Sequence, residues 1–376
     1  MNPFALQLPP RILFGSGAVA ELAAAAADYG DPILVVTGAS PQRFASVLGA
    51  LGPHDVVTLA GEPTIDDARK AAELGRACGS QVVIGIGGGS VIDLAKATAM
   101  LLGNGGDPLD YLEVVGRGQP ITAASVPMIA VPTTAGTGAE VTANAVLTSP
   151  SDALKASLRS PLMVPRLAIV DPDLTLSCPV SVTAASGMDA LTQCLEPYVS
   201  VKANPVTDGW ARTGLIHAGR GLRLAFHDGA DRGARSDMAL ASLMGGLALA
   251  NAKLGAVHGF AGVLGGMSSA SHGALCAALL VPVCRANLAR ASAESRRRFD
   301  DVARWLTGDR DASAADGLAW LAETVVEVRI PALSSYGFSA AQTKEVVAKV
   351  ARASSTAGNP VVLSPAELAA IYAAAL

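Results

Sequence analysis

Up to about Cys178 the chain repeats one pattern, in which a short apolar run stopped by glycine or proline leads into a longer stretch at helical spacing. "PILVVTG" (residues 32–38), "QVVIGIGGGS" (81–90), "PMIAVPTT" (127–134) and "RLAIVDP" (166–172) are such runs. They are unbroken rather than alternating, as strands covered on both faces are. The intervening "TIDDARKAAELGRACG" and "VIDLAKATAMLL" carry helical periodicity. A strand–helix–strand order of this kind predicts a parallel sheet flanked by helices, because parallel neighbours need a crossover. The expectation is an α/β domain over residues 1–178.

Beyond that point the strand signals stop. Residues 206–226, 235–251, 292–306, 316–328 and 340–354 are long, Ala/Leu-rich and periodic, predicting an all-α domain over residues 179–376 with its seam at "SCPVSVTA". Composition supports two well-packed domains: 51% of the residues are apolar and 16% charged. A net charge of -4 gives no basic footprint for nucleic acid or an anionic membrane. The start, "MNPFALQLPPR", has no signal-peptide pattern, and the longest apolar run, residues 274–284, is too short for a bilayer. The five cysteines are scattered, without C-x-x-C spacing, as in reduced proteins. The expectation is a cytoplasmic enzyme with no nucleic-acid or membrane partner.

Three segments carry chemistry. In "GIGGGSVIDLAK" a strand runs through Gly87, Gly88 and Gly89 into a helix, so backbone N–H groups and the positive helix end can meet a pyrophosphate. The bland alternative is a tight turn in which Ser90 and Asp93 form a capping box. "VPTTAGTGAEVT" gathers Thr133, Thr134, Thr137 and Thr142 at a second strand exit, where hydroxyls can meet ribose and phosphate or simply cap a loop. In the helical half, Asp189 and Gln193 share a helical face, and His258 and His272 flank an uncharged glycine-rich stretch. Together they offer an oxygen and nitrogen shell for a divalent metal; the alternative is hydrogen-bonded core histidines. His54, His217 and His227 lie in polar surroundings and read as surface residues.

At these residues the sequence resembles the iron-containing (group III) alcohol dehydrogenase family. The matches are "GGGSVIDLAK", "PTTAGTGAEVT", "KASLRSP", "AIVDPDLT", "TAASGMDALTQCLEPYVS", "NAKLGAVHG", "HGALCAALLVPV" and "GNPVVLSPAEL". The resemblance implies a Rossmann-like N-terminal dinucleotide-binding domain, a helical C-terminal domain, and a cleft where a nicotinamide faces a divalent metal, Fe²⁺ or Zn²⁺. It implies NAD or NADP on Gly87, Gly88, Gly89, Ser90, Asp93, Thr133, Thr134, Thr137 and Thr142, with Lys155 near the nicotinamide ribose. It also implies metal ligands at Asp189, Gln193, His258 and His272, and a homodimer formed through N-terminal strands.

The chain departs from that family at three places. Gln193 stands where a ligand His is usual, and a neutral amide oxygen is a weaker donor than imidazole. Gly262 stands where many relatives have a second His, so a proton relay through it is absent. Gly38 stands where NAD-preferring relatives often place an acid; with Ser40 and Arg43 nearby, NADP is admitted. The implied reaction is hydride transfer between a small alcohol and NAD(P)+, with the aldehyde or ketone as partner and the apolar Phe260, Val263, Leu264 and Met267 lining the pocket. Three alternatives are weighed against it. One is a metal-free keto-acid reductase resembling maleylacetate reductases, with His258 or His272 as acid and Arg212 or Arg220 as carboxylate anchor. A second is a sugar-phosphate lyase of the dehydroquinate synthase type, which the cation-poor stretch 254–272 opposes. The third, a decayed binding protein, is opposed by the intact cofactor motifs.

Overall fold

The computed structural model describes residues 3–152 and 154–376. They divide into two compact units. The first holds Gln7–Thr134 and Ala139–Thr175; the second holds Leu176–Leu376, Ala135–Gly138 and the N-terminal stretch up to Leu6.

The first unit runs β1 (Arg11–Phe14), α1 (Leu22–Ala27), β2 (Ile33–Gly38), α2 (Ala45–Leu48), β3 (His54–Leu59), α3 (Ile65–Ala77), β4 (Val82–Gly87), α4 (Gly89–Asn104), α5 (Pro108–Tyr111), β5 (Met128–Pro132), β6 (Asn144–Ser149), β7 (Leu154–Arg159) and β8 (Leu167–Val170). Six strands form the parallel sheet expected from the sequence, in the order β1-β8-β5-β4-β2-β3. Alternate residues of β2 go to opposite faces: Leu34 and Val36 pack with α3 and α4, while Ile33 and Val35 pack with Leu22 and Phe44. Covered on both sides, the strand needs no polar positions, which is why it reads as an unbroken apolar run. From β2 the chain steps outward to β3 and then back past β2 to β4, so the order reverses between β2 and β4. Ligands of open α/β sheets bind at the carboxyl ends of strands at such a reversal, and here those ends are Gly38 and Gly87.

Two sequence expectations are corrected in this unit. Residues 144–149 and 154–159, not read as strands, pair antiparallel as β6 and β7, whose Ala145, Leu147, Ala156 and Leu158 join the α3–α4 core. The Ser90–Asp93 capping box is absent. The helix starts two residues earlier, Gly88 takes the cap position without a side-chain bond, and Asp93 lies deeper inside α4 accepting from the Val146 N–H.

The second unit carries α6 (Val180–Val199), α7 (Pro205–His227), α8 (Arg232–Ala252), α9 (Ala256–Met267), α10 (His272–Ala289), α11 (Ala293–Thr307), α12 (Ala314–Glu327), α13 (Thr343–Val350) and α14 (Pro365–Ala375). The periodic stretch 340–354 yields only α13 and a preceding short 3₁₀ turn. Helix α6 is central, buried from Thr183 almost without interruption to Val199, with α7, α8 and α10 packed around it. Apolar on all sides except for a few polar residues, it is a core helix, and those polar residues need partners. The run 274–284 lies within α10, which is long and apolar enough by length and composition to cross a membrane. Two thirds of it is buried inside the unit, against α6, α9, α12 and α14.

Candidate active site

Helix α6 presents Asp189, Gln193 and Glu196 inward at spacings of four and three, all buried. Glu196 positions the next element. Its Oε1 accepts from the Val257 N–H at 2.7 Å, at the start of α9, and its Oε2 lies 2.6 Å from His258 Nδ1. One carboxylate therefore caps a helix that has no side-chain cap of its own and fixes the imidazole on that helix. A Cβ at Gly255 would stand 2.7 Å from Glu196 Oε1, so this approach needs glycine. Helix α10 docks just as closely: a Cβ at Gly273 would meet Ala185 O at 2.2 Å, which brings His272 against α6.

The result is a compact donor cluster. His258 Nε2 is 3.4 Å and His272 Nε2 4.0 Å from Asp189 Oδ1. Cys276, one turn along α10, places its Sγ 3.6 Å from His272 Nε2. The ligand atoms of Asp189, His258, His272 and Cys276 all lie within 4.8 Å of one another. Asp189 Oδ1, Gln193 Oε1 and His258 Nε2 are buried without a hydrogen-bond partner. Burial by itself raises the Asp189 carboxyl, but the His272 and His258 imidazoles and the Gln193 amide outweigh it and hold the group below the usual carboxylate range. Burial likewise lowers both imidazoles, yet Cys276 and Asp189, joined for His258 by Glu196, leave His258 well above its ordinary value and raise His272 to about 9. Anions that draw protons onto two buried imidazoles would hold a metal cation in their place. The orphaned acceptors and the nitrogen and oxygen donor set fit a divalent transition metal.

The sequence-derived candidates are thus brought together at Asp189, Gln193, His258 and His272. Glu196 and Cys276 are additions that sequence reasoning missed, although both sit at helical spacing from a candidate ligand. Phe260 and Leu264, expected to line a pocket, are instead fully buried in the helical core because their face of α9 points inward. Val263 and Met267 are partly buried at its edge. A side chain at Gly262 would meet open space. Arg212 lies over Trp305 at 5.8 Å and Arg220 pairs with Asp237 at 3.0 Å, so both cations offered for a carboxylate substrate are engaged. The short segment carrying Thr137 packs on the helices of this unit: a Cβ at Gly136 would lie 2.7 Å from the Ser186 Cβ.

In the α/β unit the uncapped N-terminus of α4 follows β4 directly. A Cβ at Gly87 would stand 2.6 Å from Val91, so the turn is tight because the strand end lies on the helix it starts. Thr133 donates its N–H to Gly87 O at 2.9 Å, and Thr134 lies against Gly88, which ties the second strand exit to the glycine turn. Ser90 Oγ donates to Glu62 at 3.2 Å, and Lys155 on β7 pairs with the same carboxylate at 3.5 Å. Gly38 ends β2, and a Cβ there would meet nothing within 4 Å. Ser40 precedes the 3₁₀ turn Pro41–Phe44, where Arg43 lies over the Phe44 ring at 5.8 Å. Asp93 and Thr142 face inward to Lys96, a fully buried lysine absent from the sequence-derived candidates.

Comparison with known proteins agrees with this architecture. The family model of iron-containing alcohol dehydrogenases matches residues 9–172, and that of the C-terminal part of the same family matches residues 183–376. The chain belongs to the iron-containing alcohol dehydrogenase family, enzymes that interconvert alcohols and their carbonyl counterparts and carry a divalent metal and a nicotinamide cofactor. It is 35% identical to long-chain-alcohol dehydrogenase 1 of Geobacillus thermodenitrificans (strain NG80-2), covering 92% of this chain and 88% of that protein. It is 32% identical to alcohol dehydrogenase 4 of Schizosaccharomyces pombe (strain 972 / ATCC 24843), over 99% of this chain and 89% of the relative. A solved 1,3-propanediol oxidoreductase superposes with a TM-score of 0.92 at 30% identity, covering 100% of both chains.

Proposed function

We propose that this enzyme interconverts a small primary or secondary alcohol and its aldehyde or ketone, with Asp189, His258 and His272 holding a divalent cation at the reacting oxygen. The observation that carries this is the set of buried donor atoms without partners, Asp189 Oδ1, Gln193 Oε1 and His258 Nε2, beside His272. A folded protein leaves such atoms unpaired at a cost of about 1–3 kcal/mol each, which a cation on Asp189 and His258 removes for those two. When bound, the cation supplies Lewis acidity to the alcohol oxygen, and the nicotinamide accepts or returns the hydride.

The chain's own residues do the rest. Asp189 brings the negative charge, Glu196 sets the His258 ring through Nδ1 and keeps Nε2 aimed at Asp189, and His272 closes the group from α10. Gln193 places the chain in a subgroup with an amide where relatives have a ligand His. With no second His at position 262, the alcohol proton leaves through water or the cofactor ribose. On the cofactor side, the uncapped amides of Gly89 and Ser90 at the start of α4 receive the pyrophosphate, with Thr133 and Thr134 beside them. Asp93 and Thr142 act indirectly, by holding α4 in place through Lys96. Lys155 reaches the ribose by giving up its long contact with Glu62. The open space at Gly38 admits a 2′-phosphate, so NADP is used as well as NAD.

We also propose a homodimer built on the sheet edge at β1, where Leu8 and Phe14 are exposed. Five free cysteines fit the reducing cytoplasm. The test is metal content by plasma mass spectrometry, with NAD(P)H-linked activity before chelation, after it, and after metal return. Near-stoichiometric Fe or Zn with activity lost and restored is expected. Unchanged activity in a metal-free protein would replace the reading with a reductase using His258 or His272 as acid.

A further inference from the structure

The cation reading leaves one question at this site: which group supplies the fourth donor. We propose that Cys276 does so as a thiolate, with Gln193 in a supporting position beside Asp189. The inference rests on the cation reading above and deepens it.

Geometry brings the Cys276 sulfur into the cluster, within 4.8 Å of every other donor atom. A tetrahedral centre with bonds of about 2.0–2.3 Å has ligand–ligand edges of about 3.3–3.8 Å. The edges here are 3.4 Å between His258 Nε2 and Asp189 Oδ1, 3.6 Å between Cys276 Sγ and His272 Nε2, and 4.0 Å between His272 Nε2 and Asp189 Oδ1. Cys276 therefore joins the cluster at ligand spacing, and its sulfur is fully buried with His272 as its partner. The other buried cysteine with a hydrogen-bond partner, Cys194, points elsewhere and donates to Ala241 O at 3.4 Å. The Gln193 amide lies one turn from Asp189 on α6 and helps to hold its carboxyl below the usual range, a supporting role that does not require the amide itself to ligate.

Charge and softness favour the same assignment. An Asp and a thiolate together neutralise a dication, whereas an Asp and a neutral amide leave a net positive charge in a buried site. Thiolate also suits Zn²⁺ better than the harder Mn²⁺ or Mg²⁺. Binding displaces the Cys276 thiol proton to solvent as the metal–sulfur bond forms, so the step balances without a redox partner. The number of protein donors stays at four, as in an Asp, Gln, His, His set, so in either case the substrate oxygen would enter as a fifth donor.

The experiment adds Co²⁺ to the metal-depleted 376-residue chain and records its absorption spectrum alongside bound cobalt by mass spectrometry. A near-ultraviolet thiolate-to-cobalt charge-transfer band is expected in the wild type and in Gln193→Ala. It should vanish in Cys276→Ser, which should hold the ion at least about 10–100-fold more weakly. The wild-type spectrum decides the matter even where a variant folds poorly. Cobalt bound without that band overturns the thiolate assignment alone and returns Gln193 to the ligand set. No cobalt bound at all overturns the cation reading, and this inference with it.

Discussion

Each unit buries a charged cluster beneath a candidate site residue, and the two clusters are finished in opposite ways. In the α/β unit, Lys96 is fully buried, but its ammonium donates to Ala139 O and Thr142 Oγ1 at 2.9 Å each and to Thr142 O at 3.4 Å, and it pairs with Asp93 at 3.4 Å. Asp93 also accepts from the Val146 N–H, and burial pushes the nearby Glu140 carboxyl up to about 7. Every donor of the lysine is used. In the helical unit, Asp189, Gln193 and His258 are equally buried, yet each keeps an atom without a partner. A complete buried network fixes the backbone around it, while an incomplete one is held ready for something else to complete it. Burial of charge therefore does not mark a site; several unsatisfied atoms gathered in one cluster do, unlike the lone hydroxyls of Thr37 and Ser125 in the α/β unit.

The comparison is broken most forcefully at Asp189. Asp189→Asn removes the one formal negative charge among the sequence-derived ligands, and turnover should fall at least about a thousandfold, or roughly 4 kcal/mol in transition-state stabilisation. Stability should fall by no more than about 1–2 kcal/mol, because Asn keeps the shape of the side chain and only the contacts of the carboxylate with His258 and His272 are weakened. Steady-state rates and a denaturant midpoint on the same preparation read both. Full activity, or a collapse of the fold, would put Asp189 in the same category as Lys96.

The opposite signature belongs to Lys96→Met. It strands Asp93 beside an apolar side chain, and loss of one member of a buried pair costs about 3–5 kcal/mol. The denaturant midpoint should drop accordingly, while the turnover of molecules that remain folded changes little. A midpoint that does not move would mean that the network around α4 is not structural.

Sequence made these two clusters unequally visible. The candidate ligand positions were legible because carboxylate, amide and imidazole are rare in apolar helices, so each stood out against its surroundings. Cys276 and Glu196 were not. A buried cysteine is ordinarily an apolar filler, and nothing local to "EP" announces that its carboxylate caps a helix some sixty residues further on. The buried strands could be read from their unbroken apolar runs, whereas β6 and β7 alternate, are short, and follow a threonine-rich loop that masks them. Ser90 and Asp93 matched the capping pattern, but the glycines let α4 begin two residues sooner and left Asp93 to the core. Local pattern found the donors, but only the tertiary arrangement of α6, α9 and α10 tells which of them remain unsatisfied.

A smaller effect sharpens the account of how the helical cluster is oriented. Glu196→Gln keeps the size of the side chain but weakens its hold on His258 Nδ1, now at 2.6 Å. Loss of such an outer partner weakens metal binding by about 10–100-fold. Competition with a chelator measures it, and an unchanged affinity would mean that α9 packing alone sets the ring.

The smallest expected change lies in the α/β unit and tests an open position there. Gly38 ends β2 at the reversal of strand order, and an added Cβ meets no atom, so Gly38→Asp can be made without disturbing the turn. A carboxylate there accepts from a ribose 2′-OH and repels a 2′-phosphate. The ratio of kcat/KM for NADPH to that for NADH should fall about tenfold at low salt, or roughly 1.4 kcal/mol. The change should narrow as ionic strength rises, because the group is solvent-facing and its field is screened over about 10 Å at 0.1 M. A parallel loss with both cofactors would mean the substitution acts on the glycine turn rather than on the 2′ position, and would move cofactor choice away from the end of β2.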